Sequence, residues 1–260
     1  MAVTNFIQQV WSKNILDGLE LECKLVPNCL REYEGECKYA QSVKILGVGE
    51  PTIGDYTGAD IDIEEMSDEG QILTIDQAKY FAFYVDDVDK AQSVSGLPEE
   101  YQRKSVHALA VARDTYVAGL INNAPNKTPV AMDTEEGFKE GIDKAIVALR
   151  KRNFNEDGVI EITPEGYNLF KNFLITTSTN NPELIKKGVI GKYDGFDVIM
   201  SNNLKTPGCI RGKKAIAFAG QLEKVEACRA EKRFADIVKG LDVYGAKVID
   251  ENRIQVLTSA

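Results

Sequence analysis

The chain has 260 residues, 43% of them hydrophobic and 27% charged. That is enough for one large core or two modest ones, and it excludes a fully disordered chain, a collagen or a disulfide-rich miniprotein. Lys and Arg total 31 against 40 Asp and Glu, a formal charge of −9, and twelve acids with only two bases fall between Glu50 and Lys90, so one stretch carries the whole imbalance and a broad phosphate-gripping face is not expected.

In chain order, residues 4–19 form the first helix candidate, because Ile7, Trp11, Ile15 and Leu19 recur every four positions along one stripe. The stripe suits a core helix or an arm docked on a neighbouring subunit, and the single Trp of the chain, Trp11, is the kind of aromatic that anchors interfaces. SVKILGVG and KYFAFYV read as strands, with Val43 and Ile45, then Phe81, Phe83 and Val85, alternating with other residues. Between them lies EPTIGDYTGADIDIEEMSDEGQILTID, rich in turn formers and acids. The pattern predicts a long hairpin with an acidic distal part, an ordered arm that needs a partner because it has too little apolar surface for a core of its own.

A strong helix follows over residues 98–122, with Val106, Leu109, Ala110, Val117, Leu120 and Ile121 as its apolar stripe and Arg103, Lys104 and Arg113 carrying charge. A second runs over 134–152, capped by Asp133 or Thr134, with Phe138, Ile142, Ala145, Ile146 and Leu149 buried and Arg150, Lys151 and Arg152 at its negative end. VIEI at 159–162 is a short strand, Thr163 and Pro164 start a third helix, and Asn181 and Pro182 begin a short one closed by Gly188. The last third reads as strands: the Asp194-Gly195 hairpin signal, AIAFAG, LEKVEACRAEKRF, and two strands in GLDVYGAKVIDENRIQVL joined by Asp250-Glu251-Asn252. No βαβ repetition is present, so the fold class is α+β.

Chemistry is harder to find. GVGEPTIG has its third glycine displaced from the dinucleotide fingerprint and leads into acids instead of a helix; RGKKA lacks the rest of a Walker loop. The acids Asp60, Asp62, Glu64, Glu65, Asp68 and Glu69 do not follow EF-hand spacing. A soluble metal-dependent enzyme using that acidic segment remains a rival reading. The one histidine, His107, sits in the long helix with no GxSxG elbow to serve. Cys23, Cys29, Cys37, Cys209 and Cys228 are odd in number and lack CxxC spacing, which reads as reduced thiols; the first three with His107 could supply four metal ligands, but zinc sites bring their ligands in close pairs. No catalytic residue, cofactor or metal site is expected. No run of 18 apolar residues is present, so no membrane span is expected, and the opening MAVTNFIQQVWSKN does not read as a secretory signal.

Three stretches carry a resemblance: VTNFIQQVWSKNILDGL, REYEGECKYAQSVKILGVGEPTIGDYTG and FADIVKGLDVYGAKVIDENRIQVL, with GKYDGFDVIMSNNL and the helices before it in the expected order between them. Together they resemble the major capsid proteins of tailed bacteriophages with the Hong Kong 97-type fold. The resemblance implies an N-terminal arm (1–40), an extended E-loop hairpin reaching over an adjacent subunit (41–90), a peripheral domain with a long spine helix (91–132), an axial domain (133–220) and a return to the peripheral domain (221–260). It implies hexamers and pentamers closing into an icosahedral phage head around double-stranded DNA held without sequence-specific binding. The place of work would be the virion, after assembly in the host cytoplasm, with a separate scaffolding protein and a portal as partners. Trp11 is then an interface anchor, and Asp55, Asp62 and Glu64 would face Arg103, Lys104, Arg113 or the Arg150-Lys151-Arg152 cluster of a neighbour. Lys79 lies in the returning strand of the hairpin, and covalent crosslinking is not expected. The same fold also serves encapsulin nanocompartments, the second reading.

Overall fold

The structure is a computed structural model that describes residues 18–19, 22–34, 42–45, 53, 70–86, 97–177, 190–230 and 234–259. Most of the 4–19 helix with Trp11, the acids Asp55, Asp62 and Glu64, Cys37 and the 181–188 helix lie outside the described residues.

Three helices and eleven strands make up the described part. Helix α1, Leu97–Asn122, runs ~39 Å at 1.5 Å per residue. Helix α2, Glu135–Arg150, starts where expected: Thr134 is its extended N-cap, and its side chain accepts from the Gly137 N–H, a cap worth about 1 kcal/mol. Glu135 and Glu136 in the first turn and Arg150 in the last complement the helix dipole. Helix α3, Pro164–Thr177, begins with proline at its first position, and the Thr163 hydroxyl accepts from the Gly166 N–H.

Strands β1 (Ser42–Ile45) and β2 (Gln71–Thr74) pair antiparallel as a two-stranded hairpin root. This corrects the sequence reading, which gave the returning strand to KYFAFYV. That segment is instead in β3 (Gln77–Asp86), which pairs antiparallel with β10 (Ala235–Val248). The physical reason is length: ten alternating residues find a full-length partner in β10, whereas four-residue β1 does not offer one. A three-stranded sheet of order β3-β10-β9 results, β9 being Ile216–Arg229.

The second sheet has order β4-β11-β8-β5-β7-β6. It is built from Lys127–Val130, Ile254–Ser259, Gly208–Gly212, Gly158–Ile162, Phe196–Met200 and Lys192–Tyr193 in that order. β6 and β7 meet at Asp194-Gly195, both with positive φ (50° and 90°), the twist that a two-residue hairpin needs. The pair read as GLDVYGAKVIDENRIQVL does form two strands. They belong to different sheets: β10 lies in the three-stranded one, and after the Glu251–Arg253 turn β11 pairs β4 and β8.

Each sheet supports its own core. One core gathers Val106, Leu109, Val117 and Ile121 of α1, Leu25 and Val26 of the early segment, and Phe218, Val238 and Tyr244 of the three-stranded sheet. The other gathers Phe138, Ile142, Ile146 and Leu149 of α2, Phe170 of α3, and Ile160, Ile162, Ile210 and Leu257 of the six-stranded sheet. The six-stranded sheet divides them. On β5, Ile160 and Ile162 belong to the helix-covered core; on β11 and β8, Val256, Ile254 and Cys209 belong to the core beneath α1.

Candidate assembly surfaces

The three-stranded sheet is finished on one face and unfinished on the other. Phe81 and Phe83 of β3 pack toward α1, with the Phe83 ring stacked on Tyr101 at 5.6 Å. On the opposite face, Tyr80, Ala82 and Tyr84 stand beside their cross-strand partners Leu241, Lys239 and Ile237. Tyr80 is 80% exposed and Tyr84 59%. A groove of about 290 Å³ runs there, lined by Tyr80, Ala82, Glu226, Lys239 and Leu241. Part of this outer face is already covered: Val43, Ile45 and Leu73 of the hairpin root pack on Ala217 and Ala219 of β9. The crossing is close because residue 245 is glycine. A Cβ there would strike the Thr74 carbonyl oxygen and lie 2.9 Å from Ile75 Cα. Gln71 Nε2 donates to Ile249 O at 3.0 Å and Lys247 Nζ to Ile72 O at 3.0 Å, which fixes the root in place. The hairpin root is therefore seated firmly on β9 and β10.

The charged residues expected to meet a neighbour divide into two groups. Arg103 and Lys104 are exposed on α1 and share one partner in the same turn, Glu100, at 2.9 and 4.0 Å. Pairs this exposed contribute little and leave both cations accessible. Arg150 is half exposed and bridges to Asp194 at 2.8 Å; Lys151 is exposed; Arg152 donates to Ala148 O and Asn252 O and meets the Gln255 side chain.

Arg113 departs from the expectation. It is 7% exposed, and its guanidinium forks onto the Asp242 carboxylate, Nε to Oδ2 at 2.9 Å with Nη2 on Oδ1. The Phe218 and Tyr244 rings flank it at 5.7 and 5.9 Å. Burial depresses the guanidinium, but the hydrogen bond and charge of Asp242 outweigh that and raise it. A cation this enclosed has no face left for a neighbour. The sequence pattern missed this because Arg113 stands between apolar positions of the stripe, and Asp242 arrives beneath it through a register shift at Leu241/Asp242 in the β9–β10 ladder.

Three further buried charges were also missed. Asp114 is 1% exposed and accepts from the backbone N–H groups of Lys24, Leu25 and Val26 at 2.7, 3.1 and 3.2 Å. Burial raises its carboxyl above the ordinary value, with those three donors pulling the other way. Glu161 and Arg211 are both 0% exposed and paired in bidentate fashion at 3.0 and 2.7 Å. Burial alone would depress Arg211, but the Glu161 carboxylate reverses that and keeps it charged. The available signal was a charged residue inside an otherwise apolar strand, as in VIEI and GCIRG.

Among the described residues, no group of three or more His, Cys, Asp or Glu side chains converges as a metal site. Cys23, Cys29 and Cys209 are free and buried; His107 is exposed and lies 2.9 Å from Glu22. No helix among the described residues is long and apolar enough to cross a membrane. What the geometry offers is a firmly seated hairpin root, a half-covered sheet face and exposed cations on the long helix: equipment for contact between chains.

No protein-family model and no curated protein matches the sequence. Solved structures do. A chain of Mycobacterium phage Che8 is 30% identical, with 88% of this chain and 89% of that one aligned at a TM-score of 0.75. The chain belongs to the tailed-phage major capsid proteins of the Hong Kong 97-type fold. The capsid structure of the cyanophage P-SCSP1u shares the fold at 17% identity and a TM-score of 0.73, covering 89% of this chain and 86% of that one. So does a virus-like particle from Pyrococcus furiosus, at 13% identity, a TM-score of 0.64 and coverage of 96% and 99%. As a major capsid protein the chain is a structural, shell-forming component of the virion.

Proposed function

We propose that many copies of this chain close, as hexamers and pentamers, into the icosahedral head of a tailed phage and enclose its double-stranded DNA without reading sequence. In this reading the chain is not an enzyme. Residues 1–40 act as the arm, 41–90 as the E-loop, 91–132 as the peripheral domain, 133–220 as the axial domain and 221–260 as the return to the peripheral domain. The observation that supports it most is the similarity to the phage Che8 chain over 88% of this chain, joined to a hairpin root seated on a sheet whose outer face stays half bare. Each copy leaves surface that a sister copy completes, so affinity is spread over many contacts. The excess of acid suits enclosure, since a shell that does not grip DNA does not trap its genome. Assembly takes place in the host cytoplasm with a separate scaffolding protein and a portal.

Asp55, Asp62 and Glu64 then approach Arg103 and Lys104 of a neighbour and guide register more than they add stability. Reversing charge with Asp62→Lys/Glu64→Lys should reduce shell yield strongly in electron micrographs of expressing lysates; normal shells at normal yield would refute the pairing. Trp11→Ala should weaken assembly through the arm. The Pyrococcus furiosus particle supports a second reading, an encapsulin-type compartment holding protein cargo. Particle contents separate the two: a packaged genome behind a portal, or enclosed protein.

A further inference from the structure

The early segment is held in an unusual way. Its N–H groups at Lys24, Leu25 and Val26 all point to the Asp114 carboxylate on α1. Its carbonyls at Leu25 and Asn28 accept from Arg211 on β8 at 3.0 and 2.7 Å. Leu30 then bridges β9, its N–H donating to Ile216 O at 2.8 Å and its carbonyl accepting from the Phe218 N–H at 2.9 Å. The grip is therefore mainly on main-chain atoms, with Leu25 and Val26 as its apolar teeth at 0% and 3% exposed.

The two gripping charges come from different bodies. Asp114 belongs to the long helix over the three-stranded sheet, and Arg211, braced by Glu161, belongs to the six-stranded sheet. The segment thus pins one body to the other and also roofs the Glu161–Arg211 pair. A roof over ions differs from a roof over hydrocarbon. Lifting it exposes charges that water solvates well, which offsets much of the lost attraction. Such a segment opens at a lower cost than the sheets it covers.

We propose that Lys24 to Leu30 is a latch: a stretch that detaches as a unit from Asp114 and Arg211 while the helices and sheets of both cores remain folded. The inference concerns the single chain and does not depend on the DNA content of any shell.

Hydrogen exchange on the full-length chain tests it. The amides of Lys24, Leu25, Val26 and Leu30 should exchange through an opening with a shallow urea dependence, because one short segment exposes far less surface than the whole chain. The amides of Ile160 and Ile210 should follow the steep urea dependence of global unfolding. Asp114→Asn keeps the side-chain shape but replaces two charged acceptors with one neutral acceptor. It should speed exchange at residues 24–26 by roughly tenfold to a hundredfold, the worth of hydrogen bonds to a charged group, while the urea dependence there stays shallow and that of β5 and β8 stays steep. Two results overturn the latch: a urea dependence shared by residues 24–26 and the sheets, or no change in exchange at residues 24–26.

Discussion

The buried Arg113–Asp242 pair makes the most demanding prediction, because a surface role and a core role for Arg113 lead to opposite outcomes. Arg113→Met leaves Asp242, 0% exposed, without a counter-charge and strips the Phe218 and Tyr244 rings of their cation. Removing one partner of a buried pair costs about 3–5 kcal/mol. For a chain of this size each kcal/mol moves the melting temperature by about 2–4 °C, so the drop should be roughly 6–20 °C. Arg113→Met/Asp242→Leu removes both charges and fills similar volume; it should recover to within about 5 °C of the unaltered chain, since an apolar replacement of an ion pair is often neutral. Thermal unfolding followed by near-ultraviolet circular dichroism reads the stability, and electron microscopy reads the shells. The double variant should fold and assemble. A single variant that melts within about 2 °C of the unaltered chain, or a stable double variant that makes no shells, would show that the arginine works between subunits and that the burial argument fails.

Three other outcomes follow from particular contacts. Gly245→Ala drives a methyl into the backbone of residues 74 and 75, so the hairpin root must lift; overpacking of this kind costs about 1–3 kcal/mol, whereas Gly119→Ala, where an added Cβ meets nothing within 4 Å, should not destabilise the chain in the same melting assay. Burial pushes the Cys23 thiol up to about 12 and Cys29 up to about 11, and Cys228 is exposed. In a Cys37→Ser background at pH 8, a water-soluble thiol reagent should therefore modify one cysteine quickly and the other three far more slowly; fast modification of two or more would contradict the packing. Asp197 is held below the usual carboxylate range, first by its Lys213 hydrogen bond. Its stabilising share is present above the ordinary value of 3.8 and is lost as pH falls through the lower folded value. Asp197→Asn should lower the melting temperature slightly at pH 7, and the difference should close as pH falls through the lowered folded value.

Elements with a strong local signal were legible in the sequence. The long helix begins one residue before the expected 98 and ends at the expected 122, Thr134 caps α2, Pro164 opens α3, and Asp194-Gly195 turns β6 into β7. Each depends on physics contained within a few residues: a proline, a capping oxygen, a positive φ. Strand partners were less legible, because pairing is decided by what else is available at long range. Nothing within SVKILGVG says that its partner is Gln71–Thr74, and nothing within KYFAFYV says that β10 will claim it. The hairpin was therefore read in kind and misread in register.

The charged residues carry the sharper lesson. Arg103 and Arg113 are the same residue type ten positions apart on one helix, and composition treats them alike. Ten residues on a helix of 3.6 per turn is a rotation of about 1000°, or roughly 80° short of three full turns. That offset moves position 113 from the solvent side into the stripe shared by Val106, Leu109, Ala110 and Val117, where Arg113 and Asp114 both lie below 10% exposure. A basic residue on such a stripe has to find a buried acid, and Asp242 is reached only when a distant strand shifts register. Helical phase therefore sorts the two arginines: 103 stays free to meet another chain, and 113 holds its own together. The same rule applies to any further charge assigned to contact between copies, which must first be shown to point away from the stripe.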